Sequence, residues 1–159
     1  GRIKGKIICS NQLRNPQVAE RIKKSVEKHL GRRSSTDHDI QYQYTNTLSA
    51  GVAVCLWATT SEGAIISSVT ILGEKGVSSE KVGKNAVDAL MRYIDHEVPV
   101  DQYLSDQLIP LMAFVQKPSK IRVLELTSHA KTNLELLKLF IDREYNIIKE
   151  ENSTLIEYQ

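Results

Sequence analysis

An alternating strand that runs directly into a helix, KIRVLELTSHAKTNLELL at Lys120 to Leu137, constrains this chain more than any other stretch. Ile121, Val123 and Glu125 fall on one side and Arg122, Leu124 and Leu126 on the other, which predicts a half-buried or fully buried strand with one charged residue on each face. Thr132 and Asn133 can accept bonds from a helix's first free amides, and Leu134, Leu137 and Ile141 recur at helical spacing. The spacing therefore predicts a helix over 132–141, with His129 three or four residues ahead of it. Free N–H groups and the positive end of the helix dipole favour a phosphate or other anion there, and an imidazole at the end of a strand can meet it. The other use of such a residue is an ordinary loop histidine, which geometry alone distinguishes.

Length and charge bound the rest. The 159 residues, 41% hydrophobic and 25% charged, have room for one good core or two small ones. A net charge of +2, from 21 basic and 19 acidic residues, allows a polyanionic ligand without implying one. Cys9 and Cys55 lie in apolar strand-like runs, too few for a disulfide framework and with no zinc-site spacing. They read as buried free thiols of a cytosolic protein. No apolar run approaches a membrane span, and the basic N-terminus has no signal-peptide core. The chain begins at Gly1, as a fragment of something longer would.

The first module reads strand, helix, strand, strand, strand, helix. Ile3, Gly5, Ile7 and Cys9 alternate with Lys4, Lys6 and Ile8 in a first strand ending at Ser10 and Asn11. Asn15 and Pro16 predict a helix start; Val18, Ile22, Val26 and Leu30 mark its buried face, and Gly31 its end. Glu20 and Glu27 are interleaved with Arg21, Lys23, Lys24, Lys28, Arg32 and Arg33, which favours a solvated face over a polyanion site. A loop is predicted at 31–39, and a strand with one wet face follows at Ile40, Tyr42 and Tyr44; this tyrosine pair suits cross-strand packing more often than base stacking. Gly51 to Thr59, GVAVCLWAT, suits a buried central strand, and SEGA turns it into an antiparallel partner over 65–72. GEKG at Gly73 to Gly76 lacks the GK[ST] ending of a phosphate loop and reads as a turn. Val82, Ala86, Leu90 and Ile94, widened by Val87 and Met91, then predict a long helix over the sheet. The fold class is α+β, with a mixed or antiparallel sheet and a first module spanning 1–98.

A second unit, 99–159, begins at Pro99. Asp101 caps a predicted helix whose apolar face is Leu104, Leu108, Leu111 and Val115, with Tyr103, Asp106 and Gln107 on its polar side. The histidine-bearing strand, its helix and a hairpin about 151–153 complete the unit, which is barely enough to fold alone and is expected to complete a larger sheet.

Two motifs, YLSDQLIP at Tyr103 to Pro110 and ELTSHAKTN at Glu125 to Asn133, resemble in order and separation the C-terminal part of the RNA 3'-terminal phosphate cyclases. The run from Gly51 through LGEKG and the long helix is similar to that family's inserted domain, so the likeness covers nearly the whole chain. The resemblance implies an inserted α/β domain at 1–98, followed at 99–159 by the last helix-strand-helix-hairpin segment of a repeat-built catalytic core. It implies an ATP-dependent cytoplasmic ligase that converts an RNA 3'-phosphate end to a 2',3'-cyclic phosphate. His129 matches the family's nucleophile, which holds AMP as a phosphoramidate. Tyr103, Leu104, Ser105, Asp106 and Gln107 correspond to its adenylate-binding segment, with Tyr103 packing on the nucleotide and Asp106 and Gln107 hydrogen-bonding it. Ser105 replaces a more usual alanine, and Lys131 stands where arginine is common.

The resemblance also implies a divalent metal, Mg or Mn, on the ATP phosphates, although no carboxylate cage is visible. The family's full chain is roughly twice as long, and the N-terminal part of the core is absent from these residues. That absence predicts that this chain alone does not catalyse. The alternatives are a non-catalytic cyclase-like ribosome-assembly factor, against which His129 and YLSDQ argue, and a separable RNA- or protein-binding module, at which only the basic first helix hints.

Overall fold

Strand β1 (Arg2–Ser10) is the centre about which the first unit is laid down. The computed structural model describes residues 1–33 and 35–159, which fall into two units, Gly1–Arg92 and Tyr93–Gln159. Strand β2 (Asp37–Thr45) pairs parallel to β1, with Ile7 opposite Tyr42, and β3 (Val52–Thr59) pairs antiparallel on its other side, with Ile7 opposite Val54. The sheet is therefore mixed. Alternation turns Ile3, Ile7, Cys9, Ile40, Val54 and Leu56 into the core, while Lys4 and Ile8 remain exposed on the other face. Outside β3 lie two short antiparallel strands, β4 (Ile65–Ser67) and β5 (Ile71–Leu72), where one strand is predicted. Six steps along β3 from Thr59 to Ala53 face seven from Ile65 to Leu72, so one extra residue splits the strand as a bulge. Buried Ser68 lies in this break, its N–H donating to the Leu56 carbonyl at 3.3 Å.

Two helices complete the unit. Helix α1 (Val18–Arg33) packs on β1 and β2 and buries Ala19, Ile22, Val26 and Leu30. It begins at Val18 rather than at Pro16. Asn11–Leu13 form a 3-10 turn, and Gln17, at φ 51°, interrupts the helical path just before it. Gly31 does not end it either, because it lacks the left-handed backbone of a glycine stop and the helix continues to Arg33. Of the predicted 31–39 loop, Asp37–Asp39 belong to β2 and Ser34 lies outside the described residues. Helix α2 (Ser79–Asp95) starts where Ser78 Oγ accepts the Lys81 N–H at 3.2 Å, and it buries Val82, Ala86, Val87 and Leu90. It meets α1 at Gly83, where a Cβ would stand 2.7 Å from Ser25 Cβ and 2.8 Å from the Ile22 carbonyl oxygen. Only a glycine allows that approach.

Both cysteines are free, but they are not both buried. Cys9 is fully enclosed and its thiol is pushed up to about 11, first by burial and then by the charge of Glu20. Cys55 is half-buried, because it alternates with Val54 and Leu56 and so lies on the opposite face of the sheet.

The second unit contains α3 (Gln102–Phe114), β6 (Ser119–Val123), α4 (Ser128–Leu137), β7 (Tyr145–Lys149) and β8 (Thr154–Tyr158). The strands form an antiparallel sheet in the order β6-β8-β7, with Ile156 opposite both Ile121 and Ile147. Its core joins Ile109, Met112, Ala113, Val123, Ala130, Leu134, Ile156 and Tyr158. The predicted buried face of α3 is out of phase. Leu104, Leu111 and Val115 are exposed, while Ser105, Ile109, Met112 and Ala113 are buried. This helix is apolar on more than one side, so two stripes offset by a residue satisfy the same periodicity. Arg143 donates to the carbonyls of Met112, Val115, Lys117 and Gln159, which ties the end of α3 to the C-terminal strand. Among the described residues no helix is long and apolar enough to cross a membrane.

Candidate nucleotide-transfer site

The N-cap of the histidine-bearing helix lies five residues before Thr132, the first of its predicted caps. Thr127, extended at φ −65° and ψ 160°, is the N-cap of α4, and its Oγ1 accepts the Ala130 N–H at 2.9 Å. His129 is thus the second residue of the helix, not a loop residue ahead of it. Thr132 and Asn133, the predicted caps, lie in the second turn. Thr132 Oγ1 donates back to the Ser128 carbonyl at 2.9 Å, and Asn133 Nδ2 reaches across to the backbone carbonyl of Asp106 at 3.2 Å. A signal for the true start was present: Thr127 stands three residues before Ala130, and Leu134 follows at the next helical step.

The other motif begins at a cap the sequence does announce. Asp101 Oδ1 accepts the N–H groups of Tyr103 and Leu104 at 2.9 and 2.8 Å, fixing the first turn of α3. Tyr103, Leu104 and Gln107 are exposed on this helix. Ser105 points inward: it is 1% exposed, and its hydroxyl donates to the Gln102 carbonyl at 2.9 Å. Asp106 is partly buried and joins the two motifs, with Oδ1 accepting from Thr127 Oγ1 at 2.8 Å. The Thr127 hydroxyl therefore donates to a carboxylate on α3 while accepting from its own helix. Together with Asn133, this bond locks the start of α4 against α3. Sequence reasoning missed Thr127 and Asn133 as the residues that make this junction.

His129 itself is exposed and has no hydrogen bond or ion pair among the described residues. The Ala130 N–H is held by the cap and the Lys131 N–H by the Thr127 carbonyl, which leaves the Ser128 and His129 N–H groups without a helical acceptor. Two free amides at the positive end of a helix, with a free imidazole on the second residue, suit an anionic phosphorus centre approached by a nucleophile. Lys131, two residues on, is also exposed but projects from another side of the helix. Among the described residues no three His, Cys, Asp or Glu side chains gather as a metal-holding group.

An α+β domain is thus followed by a helix-strand-helix-hairpin unit that presents an unbonded histidine at a helix start. Residues 1–95 match the family model described as RNA 3'-terminal phosphate cyclase (RTC), insert domain. The chain belongs to the RNA 3'-terminal phosphate cyclase family. It is 34% identical over 147 residues to the RNA 3'-terminal phosphate cyclase of Caldivirga maquilingensis, covering 89% of this chain and 41% of that protein. The cyclase of Methanothermobacter thermautotrophicus is 36% identical over 131 residues, 82% of this chain and 37% of its own. That of Thermococcus gammatolerans is 32% identical over 130 residues, with the same coverage. The chain thus spans about two-fifths of the length of the curated relatives it matches.

Proposed function

We propose that this chain is part of an ATP-dependent ligase that converts an RNA 3'-terminal phosphate to a 2',3'-cyclic phosphate, with His129 as its nucleophile. The single observation that carries the reading is the unbonded imidazole of His129 on a helix start held by Thr127 and Asp106. A ring nitrogen attacks the α-phosphorus of ATP; the P–N bond forms, the bond to the β-phosphate oxygen breaks, and pyrophosphate leaves. The ring proton is lost to solvent, and AMP remains as a phosphoramidate. An oxygen of the RNA 3'-phosphate then attacks that phosphorus and frees the imidazole. Finally the vicinal 2'-hydroxyl attacks the 3'-phosphorus, closing the ring and expelling AMP.

In this reading Tyr103 and Leu104 pack against the nucleotide and Gln107 hydrogen-bonds it, all three being exposed on α3. Asp106 acts chiefly on Thr127, and Ser105 keeps the first turn of α3 seated on the core. The divalent metal belongs to the ATP phosphates rather than to a cage in this chain, and none of these side-chain roles depends on it. We read 1–98 as the inserted domain and 99–159 as the end of the catalytic core. The greater length of the relatives supports a reaction that needs core sequence beyond these residues. Two free thiols fit a cytoplasmic setting.

The test is cyclisation of a 3'-phosphorylated RNA by this sequence extended to the length of its relatives. The expected product is an end resistant to phosphatase until the ring is opened by acid, formed only with ATP. An extended, folded protein that binds RNA and leaves the 3'-phosphate unchanged would favour a non-catalytic binding factor.

A further inference from the structure

The small net charge conceals a separation between the two units. Gly1–Arg92 carry fourteen Lys and Arg against eight Asp and Glu, a net of +6, whereas Tyr93–Gln159 carry seven against eleven, a net of −4. Much of the positive charge lies on α1, and the structure removes the reason for calling that face merely solvated. Neither acid of the helix forms an ion pair with its outer stripe: Glu20, still charged, accepts the Tyr44 hydroxyl at 2.6 Å, and Glu27 pairs with Lys23 at 3.6 Å. Arg21 is held by both oxygens of Glu80 at 2.9 and 3.0 Å, and Arg33 by Asp88 at 3.1 Å. Lys24, Lys28 and Arg32 are exposed and have no ion pair among the described residues.

These three cations recur every four residues, so they form one line on the helix with a rise of about 6 Å per step. Like charges at this spacing repel one another, and a chain of phosphates is the ligand that relieves such a line. Beside it a groove of about 340 Å³ is lined by Arg21, Lys24, Ser25, Lys28, His29 and Glu80. The Nδ1 atom of His29 lies 2.8 Å from the Ser25 carbonyl, which requires a proton on Nδ1 and leaves Nε2 free. The groove thus adds an imidazole nitrogen beside the lysine line.

We propose that the Lys24–Lys28–Arg32 line of α1 is a docking surface for the phosphodiester backbone of single-stranded RNA, separate from the His129 site. The choice of RNA among polyanions rests on the proposed function; the line itself does not. Its contacts are to phosphates, so binding is sequence-tolerant and salt-dependent.

The test is fluorescence anisotropy of the 159-residue chain with a labelled twelve-residue oligoadenylate bearing a 3'-hydroxyl. That end cannot undergo the proposed reaction, so the outcome is independent of His129. Three phosphate contacts on a single strand give a slope of about −2 in log K against log salt, a loss of roughly 20-fold between 50 and 200 mM. The Lys24→Gln/Lys28→Gln/Arg32→Gln variant is expected to lose nearly all of that slope, with its circular dichroism unchanged. Lys4→Gln/Lys6→Gln, which removes charge from β1, is expected to keep it. Equal losses in both variants would show general attraction and overturn the inference, as would salt-independent binding by the wild type. Equal binding of a polyglutamate of matched charge would overturn the choice of RNA in favour of an acidic protein segment. Labelling at His129 without RNA binding to α1 would remove the docking surface and leave the proposed reaction standing.

Discussion

The two units differ in how completely each covers its own apolar surface. The first has two helices packed together at Gly83, and among its described residues five large apolar side chains are exposed, spread over β1, β2, β4, β5 and the loop at Leu48. The second is the smaller, yet ten are exposed, including Tyr103, Leu104, Leu111 and Phe114 of α3 and Leu136, Leu139 and Phe140 at the end of α4. Charge separates them too, +6 against −4. The candidate site lies on the less covered unit. Its helices present an apolar face as well as a histidine, which suits an element that works against further protein surface.

The comparison is broken most directly by emptying one core. Ile156 is fully buried on the central strand of the second sheet, and Ile156→Ala should cost about 2–5 kcal/mol. Hydrogen exchange should show protection lost across β6, β8 and α4 and retained in β1 and β3. Uniform loss would show that the units do not have separate stabilities.

Next in size is the helix contact of the first unit. Gly83→Ala should lower stability by about 1–3 kcal/mol through overpacking against Ser25 and the Ile22 carbonyl, even though alanine is the better helix former. Gly31→Ala, with nothing within 4 Å, should instead raise stability by about 0.5–1 kcal/mol. Chemical denaturation of both variants reads the opposite signs.

In the second unit, Thr127→Val keeps the shape of the side chain and loses both hydroxyl bonds, at about 1–2 kcal/mol. Thr127→Ser should recover most of it, and a melting series checks the pair.

The smallest effect concerns Tyr44 of the first unit. Burial, followed by its bond to Glu20, raises the Tyr44 hydroxyl from 10 to about 12. A raised value means that the neutral form is favoured in the fold. Its contribution is complete below pH 10 and is lost as pH rises from 10 to about 12. Tyr44→Phe should therefore lose less stability than the wild type across that window.

Much of this architecture was legible in the sequence, and the failures share a cause. Alternation over Ile3 to Cys9 and the spacing of Val18, Ile22, Val26 and Leu30 identified the inner faces of β1 and α1, because each has one apolar side. Asp101 as a cap was equally plain. Periodicity misled where the apolar residues permit two phases, as on α3, whose buried stripe is Ile109, Met112 and Ala113. The start of α4 was misplaced because Thr132 and Asn133 are good caps in isolation, whereas Thr127 gains a partner on α3 that no local pattern reveals. That Glu20 bonds to Tyr44 rather than to Lys24 was hidden for the same reason: Tyr44 is distant in sequence.

The central claim is that His129 takes up the nucleotide, and adenylylation tests it most directly. The sequence extended to the length of its relatives is incubated with ATP labelled at the α-phosphorus and with a divalent metal, beside its His129→Ala variant. The account predicts acid-labile, alkali-stable label on the parent and none on the variant, with both equally folded. Label retained by His129→Ala, or no label on a folded parent, would contradict it.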